Sequence, residues 1–173
     1  SAVKPSATVA VAQRARELKA QGIDVLSFSV GEPDFDTPAH IREAAKKAID
    51  AGATRYTAAR GVVELREAIC EATAKRRSGV TYTPAECVVS VGAKHTLFNL
   101  ALALYDPGDE ILIPAPYWVS YPEQVRLAGA NPVIVETSEA DGFNMTPDAL
   151  RAAITAKTKA LILCSPSNPT GAA

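Results

Sequence analysis

Four loops of the 173-residue chain carry side chains or bare backbone that could hold an anionic or aromatic ligand. In the first loop, Gly92 and Ala93 precede Lys94 at the predicted start of a helix, where backbone N–H groups bind phosphate well. A tight strand-to-helix turn explains the same three residues, so both interpretations stay open. A cation is disfavoured at the N-terminal end of a helix, and this favours a ligand-facing role for Lys94.

The second loop is aromatic and spans residues 114–122, with Trp118 as the single tryptophan of the chain. Aromatic clusters are more often part of a core, yet rings between prolines at the end of a strand also suit stacking on a flat heteroaromatic ligand. The third loop, residues 165–171, contains Asn168. The amide of Asn168 either caps a turn or hydrogen-bonds a ligand oxygen.

Gly31 begins the fourth loop, residues 31–36, which is rich in turn-forming residues and carboxylates. This loop is either an ordinary turn or a place where bare backbone lets a substrate approach closely. Tyr56 lies in a predicted extended connector, where a packed aromatic ring is the alternative to a binding role. Each segment is ambiguous by itself, so the functional argument depends on their combination.

Composition and charge exclude several classes of function. The net charge of −1 argues against a general attraction to nucleic acid or to an anionic membrane. The longest apolar stretch, residues 97–105, is too short to cross a bilayer. The three cysteines and two histidines lack metal-ligand spacing, so we expect reduced thiols and no metal site. Without a signal-peptide pattern, the protein is expected in the cytoplasm, or in the plastid stroma if its source is a plant.

Short apolar strands alternate with amphipathic helices along the chain. Helices are predicted at residues 8–21, from 38 to the glycine at 52, and at 63–78, 94–105, 120–128 and from 146 onward. Strands are predicted at residues 25–30, 87–91, 110–114, 132–136 and 160–164. This alternation predicts βαβ units, a largely parallel sheet and right-handed crossovers. Because no covering helix follows the last loop, we expect the chain to be the N-terminal portion of a longer protein.

Five segments occur in the order found in one enzyme family, namely residues 4–8, 31–38, 91–94, 115–122 and 165–171. Over essentially its whole length the chain resembles the class I, fold-type I pyridoxal-phosphate aminotransferases, and within them the bacterial and plastid aspartate/prephenate subgroup. The resemblance implies a three-layer α/β fold whose mostly parallel sheet is flanked by helices. It assigns residues 1–38 to a small domain and residues 39–173 to the first part of a large cofactor-binding domain.

The resemblance also implies roles for the residues of the loops. The backbone of Gly92, Ala93 and Lys94 would hold the phosphate of pyridoxal 5'-phosphate. Trp118 would stack on the ring of the cofactor, and Asn168 would hydrogen-bond its phenolic oxygen. An acidic substrate wants a cation near its side-chain carboxylate, and Lys94 could supply that cation.

The residues that the resemblance places against the substrate are Gly31, Trp118, Asn168, Thr8, Lys94 and Lys4. Among them, Thr8 and Lys94 would recognise a distal carboxylate, and Lys4 matches a position associated with prephenate use. Tyr56 would reach the cofactor phosphate of the partner subunit, which implies a homodimer with shared active sites. Nucleic acid and membranes are not expected as partners.

The Schiff-base lysine of the family, with its pyridine-pairing aspartate and its carboxylate-binding arginine, is expected downstream of residue 173. No catalytic residue is therefore assigned within the chain, and the chain alone is expected to be inactive. The longer protein is expected to transaminate aspartate with a 2-oxo acid, with glutamate and prephenate as further substrates. Two alternatives stay open: another fold-type I enzyme, such as an aromatic aminotransferase or a C–S lyase, and a non-catalytic folding or dimerisation module.

Overall fold

The computed structural model describes residues 7–28 and 31–173, and the chain divides into two compact units. The first unit comprises residues 1–30 and 94–173, and the second comprises residues 31–93. In the described residues the helices are α1 (Ala7–Ala20), α2 (Ala39–Asp50), α3 (Val63–Arg76), α4 (Gly92–Leu104), α5 (Ser120–Leu127) and α6 (Pro147–Ala153). The strands are β1 (Glu110–Pro114), β2 (Asn131–Val135) and β3 (Thr158–Leu161).

The three strands belong to the first unit and form one parallel sheet in the order β2-β1-β3. The register pairs Glu110 with Asn131 on one side of β1, and Leu112 with Leu161 on the other. Parallel neighbours need crossover connections, and here α5 lies between β1 and β2 while α6 lies between β2 and β3. The parallel sheet with helical crossovers is therefore confirmed.

β1 is the central strand, and its apolar residues form the core of the first unit. Ile111, Leu112 and Ile113 are at most 1% exposed, as expected for a strand covered on both faces. Val125 of α5 is fully buried in the same cluster. Burying an aliphatic side chain of this size contributes about 1.5–3 kcal/mol. The core continues past the end of β1, because Tyr117 and Trp118 of the aromatic loop pack against it.

Local signals set the ends of the helices around this sheet. Thr146 caps α6, because its hydroxyl accepts a hydrogen bond from the backbone N–H of Ala149 at 3.2 Å. Pro147 follows at the first helical position, where its missing N–H costs nothing. Gly129, just after α5, has a φ of 87°, a conformation that glycine adopts without steric penalty. These signals fix the lengths of both crossovers.

The second unit contains α2, α3 and a short 3-10 helix at Pro84–Glu86. Arg66 of α3 joins two of its loops, because the guanidinium donates to the carbonyls of Gly61 at 3.2 Å and Pro84 at 2.5 Å. Cys70 is the one buried residue among the described residues of this unit. Burial, followed by the influence of neighbouring Cys87, raises the pKa of the Cys70 thiol.

Two of the predicted strands are not formed. The segment at residues 87–91 is irregular, with Val88 61% exposed and Val91 89% exposed. That prediction was wrong because a strand needs a hydrogen-bonded neighbour, and no strand of the described residues pairs with this segment. Residues 25–28 are also not a strand, and residues 29 and 30 of that prediction lie outside the described residues. The domain boundary expected after residue 38 concerns a longer protein and stays a prediction.

Candidate active site

Helix α4 begins at Gly92, in the first of the loops that the sequence singled out. Gly92 has a φ of 78°, a conformation that favours glycine, and its N–H donates to the carbonyl of Ser90 at 2.9 Å. Apart from its chain neighbours and the backbone of α4, no atom of the described residues lies within 4 Å of the point where a Cβ on Gly92 would stand. The first N–H groups of a helix have no acceptor within the helix. This exposed helix start therefore has both the space and the electrostatics that an anion requires.

Lys94, in the first turn of α4, extends its ammonium over the ring of Trp118. Its Nζ lies 4.9 Å from the centroid of the indole ring, a cation–π contact that contributes about 0.5–1 kcal/mol at an exposed site. Trp118 is half-buried and lies two residues before α5 begins. The contact therefore brings a cation at the start of one helix onto an aromatic surface at the start of the next.

Tyr121, in the first turn of α5, supports Trp118 from the protein interior. The two ring centroids are 5.4 Å apart, and the planes meet edge to face at 85°. Tyr121 is buried. That burial, with the neighbouring Cys164 thiol as a further cause, raises the pKa of the phenol to about 12. The phenol is therefore neutral near pH 7 and acts as a packing and hydrogen-bonding group.

A cavity of about 310 Å³ opens where β1 and β3 end. Ligands of open α/β sheets bind at this carboxyl edge. Its lining includes Tyr117, Tyr121, Asn144, Met145, Cys164 and Asn168. The aromatic loop and the loop at residues 165–171 thus meet at one cavity, as their positions after strands predicted. Lys94 and Trp118 do not line the cavity, but Trp118 adjoins it through Tyr121.

The backbone holds both of these loops in place. Ala115, at the start of the aromatic loop, donates its N–H to the carbonyl of Val135 at 2.9 Å. In the other loop, Ser167 donates its N–H to the carbonyl of Ala172 at 2.7 Å. Asn168 is exposed on this closed segment and lines the cavity. The loop backbone therefore presents the Asn168 amide to the cavity.

Gln124 lies next to Lys94 in the structure but was not among the residues predicted for the site. Its side chain is 8% exposed, and its Nε2 donates to the backbone carbonyl of Lys94 at 2.8 Å. A signal for it does exist, because Tyr121 and Val125 mark the apolar face of α5. Gln124 follows Tyr121 by three residues and so puts a polar group on that face.

The remaining predicted residues do not line the cavity. Gly31 and Tyr56 belong to the second unit and are exposed, and the ring of Tyr56 is fully in solvent. Thr8 is half-buried in the first turn of α1. Lys4 lies outside the described residues. The substrate and partner-subunit roles expected for these four residues stay predictions.

Metal sites and membrane-spanning helices are absent from the described part of the chain. Within residues 7–28 and 31–173, no three His, Cys, Asp or Glu side chains are grouped so that they could hold a metal ion. None of the helices in these ranges has the length and apolar character needed to traverse a membrane. All three cysteines are free thiols.

Relatives are found over nearly the whole chain. A family model described as Aminotransferase class I and II matches residues 23–173. The aspartate/prephenate aminotransferase of Cereibacter sphaeroides is 57% identical over 171 residues. The structure of the Thermus thermophilus aspartate aminotransferase with maleate superposes with a TM-score of 0.91 at 52% identity. An aromatic aminotransferase from Pyrococcus horikoshii OT3 superposes with a TM-score of 0.81 at 45% identity.

These matches cover nearly all of this chain but less than half of each relative. The Cereibacter sphaeroides match covers 99% of this chain and 42% of the relative. The Thermus thermophilus structure is matched over 97% of this chain and 44% of its own. For the Pyrococcus horikoshii structure the two values are 92% and 42%. The chain therefore spans less than half the length of the relatives it matches.

Proposed function

The chain belongs to the class I and II aminotransferase family, and we propose that the protein transfers an amino group between aspartate and a 2-oxo acid with pyridoxal 5'-phosphate as cofactor. The observation that carries this proposal is the Lys94 ammonium lying 4.9 Å from the centroid of the Trp118 ring. A cation, an aromatic surface and a helix start are thereby combined. An anionic heteroaromatic cofactor requires this combination.

Residues of this chain fit the cofactor at both of its ends. The open space beside Gly92, where a Cβ would intrude, suits a phosphate at the start of α4. Trp118 would offer its indole surface to the ring, and Asn168 would offer its amide to the phenolic oxygen. When bound, pyridoxal 5'-phosphate supplies an electron sink for the charge that develops at the substrate Cα.

The proposed contribution of this chain is binding and orientation. By holding a flat ligand at two points, Lys94 in the first turn of α4 and Trp118 would fix its plane and so orient the bond to be broken. Tyr121 retains its proton, because its pKa of about 12 keeps the phenol neutral. Proton transfer is therefore not assigned to the residues around this cavity.

The proposed substrates are dicarboxylic, with aspartate first and with glutamate and prephenate as further candidates. Maleate, found with the Thermus thermophilus enzyme, is itself a dicarboxylate. We assign the distal carboxylate to the Lys94 ammonium, with Thr8, Lys4 and Gly31 as further substrate contacts. A charge-assisted hydrogen bond of this kind is about twice as strong as a neutral one.

We also propose a cytoplasmic homodimer. Tyr56 supports the dimer, because its fully exposed ring is free to reach the phosphate site of a partner subunit. The three free thiols support the location, because such thiols persist in a reducing compartment. Size measurement on the complete gene product tests the dimer.

Turnover by the complete gene product tests the reaction. With pyridoxal 5'-phosphate and 2-oxoglutarate present, we expect aspartate to be consumed faster than phenylalanine. Replacing Lys94 by Met is expected to raise the KM for aspartate at least about tenfold, as loss of a charged partner costs about 1.5–3 kcal/mol. Lys75→Met, at an exposed lysine of α3, is the matched control. Absence of aspartate turnover would refute the proposal.

An aromatic aminotransferase is the second candidate function. The cavity lining contains Tyr117, Tyr121 and Phe143, and such surfaces suit an aromatic side chain. The structural similarity to the Pyrococcus horikoshii enzyme supports this candidate as well. Preferred turnover of phenylalanine, unaffected by Lys94→Met, would favour it over the dicarboxylic proposal.

A further inference from the structure

We propose that Gln124 is a positioning residue that fixes the first turn of α4 against α5 and so places the Lys94 ammonium over the Trp118 ring. The inference deepens the proposed function and depends on it for its biochemical meaning. The geometry that carries it lies within the first unit, where Lys94, Trp118 and Gln124 all belong.

Gln124 is a polar residue in a buried position, and a hydrogen bond accounts for its burial. It is the one buried polar residue in the described part of the chain. An amide that is buried without a partner costs about 1–3 kcal/mol. Its partner is the backbone carbonyl of Lys94, 30 residues earlier in the chain and 2.8 Å from Nε2. The bond therefore joins two helices and is not a local turn or cap.

The accepting carbonyl lies in the first turn of α4. A helical carbonyl there accepts the N–H four residues later, and its second lone pair remains available. The amide of Gln124 takes this second position. It therefore adds a link between helices without removing a bond from the helix, and it restrains the main chain beside the proposed phosphate site.

Lys94 is consequently held at two points by the same region. Gln124 binds its backbone carbonyl, and Trp118 lies beneath its ammonium. Tyr121 connects this region to the core, because it contacts the Trp118 ring and is buried in the same cluster as Val125. Because α5 is anchored to the core in this way, it sets the distance between the aromatic surface and the start of α4.

A fixed distance between the first turn of α4 and the Trp118 ring favours a ligand that must contact both. A cofactor held by its phosphate at α4 and by its ring at Trp118 binds best when the two contacts are already positioned. Without the amide donor, the first turn of α4 loses its link to α5, and the Lys94 ammonium moves away from the indole. We expect binding at both places to weaken together.

The test uses the fluorescence of Trp118, which is the single tryptophan of the 173-residue chain. The variants are Gln124→Met and Gln124→Leu, both of which remove the N–H donor without adding a charge. Lys94→Met shows the emission of Trp118 without its cation. Gln13→Met is the matched control, since Gln13 is exposed and its side chain bonds the nearby side chains of Glu17 and Arg16 on the same helix.

Without ligand, we expect Gln124→Met and Lys94→Met to shift the Trp118 emission in the same direction, and the double variant to add nothing further. Circular dichroism establishes that each variant is folded. Should Gln124→Met fail to fold, Gln124→Leu provides the same comparison. A folded Gln124 variant whose emission equals that of the unchanged chain would overturn the proposal.

In the second arm, pyridoxal 5'-phosphate is titrated and quenching of Trp118 is recorded. We expect the Kd to rise about threefold to tenfold in the Gln124 variants, the effect of one lost hydrogen bond, and to stay unchanged in Gln13→Met. An equal Kd in unchanged and variant chains would refute the positioning role. Binding of pyridoxal 5'-phosphate to the complete gene product, followed by the absorbance of the cofactor, tests the proposed cofactor site separately, while the ligand-free comparison decides the role of Gln124.

Discussion

The two units of the chain are similar in helix content but differ in what their apolar residues contact. In the first unit, Ile111, Ile113 and Val125 are almost fully buried around a three-stranded sheet. In the second unit, Cys70 is the one buried residue among those described, and Val88 is 61% exposed. The candidate cavity, with its aromatic and amide lining, lies in the first unit.

This difference shows how a binding site obtains its rigidity. In the first unit, β1 is bonded on both edges, so the loops that follow it start from fixed points. In the second unit, the segment at residues 87–91 has equally apolar residues but no paired strand among the described residues. Apolar composition alone therefore does not fix a loop, whereas a paired and buried strand does.

The largest expected effect comes from a charge placed in each unit. Val125→Asp buries an unpaired carboxylate in the core and is expected to reduce the free energy of unfolding by on the order of 3–5 kcal/mol. Val88→Asp, at an exposed position, is expected to change it by less than about 0.5 kcal/mol. Urea unfolding followed by circular dichroism measures both. A similar loss in the two variants would break the comparison, because Val88 would then be buried in solution.

A second pair of variants compares the stability lost when one buried side chain in each unit is truncated to alanine. Ile113→Ala leaves a cavity in the core and is expected to cost about 2–5 kcal/mol. Cys70→Ala removes one small side chain and is expected to cost about 1 kcal/mol. Thermal unfolding of both variants gives the ratio. Equal losses would mean that the second unit has a core comparable to that of the first.

Alkaline pH is expected to lower the stability of the protein by ionising Tyr121 in the core of the first unit. Burial and the Cys164 thiol raise the pKa of Tyr121 to about 12, from a reference value of 10.0. Stability from this residue is therefore complete below pH 10.0 and is lost as the pH rises to about 12. Tyr121→Phe should remove a loss on the order of 2 kcal/mol across that interval. Tyr56→Phe is the control, and an unchanged alkaline loss in Tyr121→Phe contradicts the prediction.

The smallest effects are expected from two helix caps, one in each unit. Thr146→Ala removes the cap of α6 and should cost about 1 kcal/mol. Thr83→Ala removes the capping box in which Thr83 and Glu86 bond each other at 2.8 Å before the 3-10 helix. We expect a loss of about 0.5 kcal/mol there, since exposed hosts give the low end of the range. Chemical unfolding of the two variants ranks them, and the reverse order would contradict the contrast between the units.

Much of the helical structure could be predicted because its signals are local. Gly129 and Gly22 end helices with positive φ values of 87° and 79°, and Thr146 caps α6 as predicted. The central strand β1 has the predicted bounds, because its whole apolar run is buried. The resemblance to fold-type I aminotransferases is likewise confirmed at the level of the family.

The errors in the sequence prediction share one cause. A local sequence pattern does not show which distant segment a residue or strand will pair with. The strand expected at residues 87–91 has three aliphatic residues, as β1 has, but lacks a partner among the described strands. β3 begins at Thr158, two residues before the predicted start, because a strand at the edge alternates half-buried and exposed residues and so accepts Lys159. It ends at Leu161, so residues 162–164 of the predicted strand do not belong to it. Gln124 was missed because its partner, Lys94, is 30 residues away.

Because β1 is the central strand but comes first in the sequence, it is synthesised before either of its neighbours. β1 leaves the ribosome first, its neighbour β2 is complete at residue 135, and β3 is complete only at residue 161. At about 5–20 residues per second, one edge of the most apolar strand stays open for on the order of a few seconds. An open apolar edge pairs readily with other chains. We therefore expect that slowing synthesis between the emergence of β2 and the emergence of β3 increases aggregation of the nascent chain, while slowing it after β3 has emerged does not.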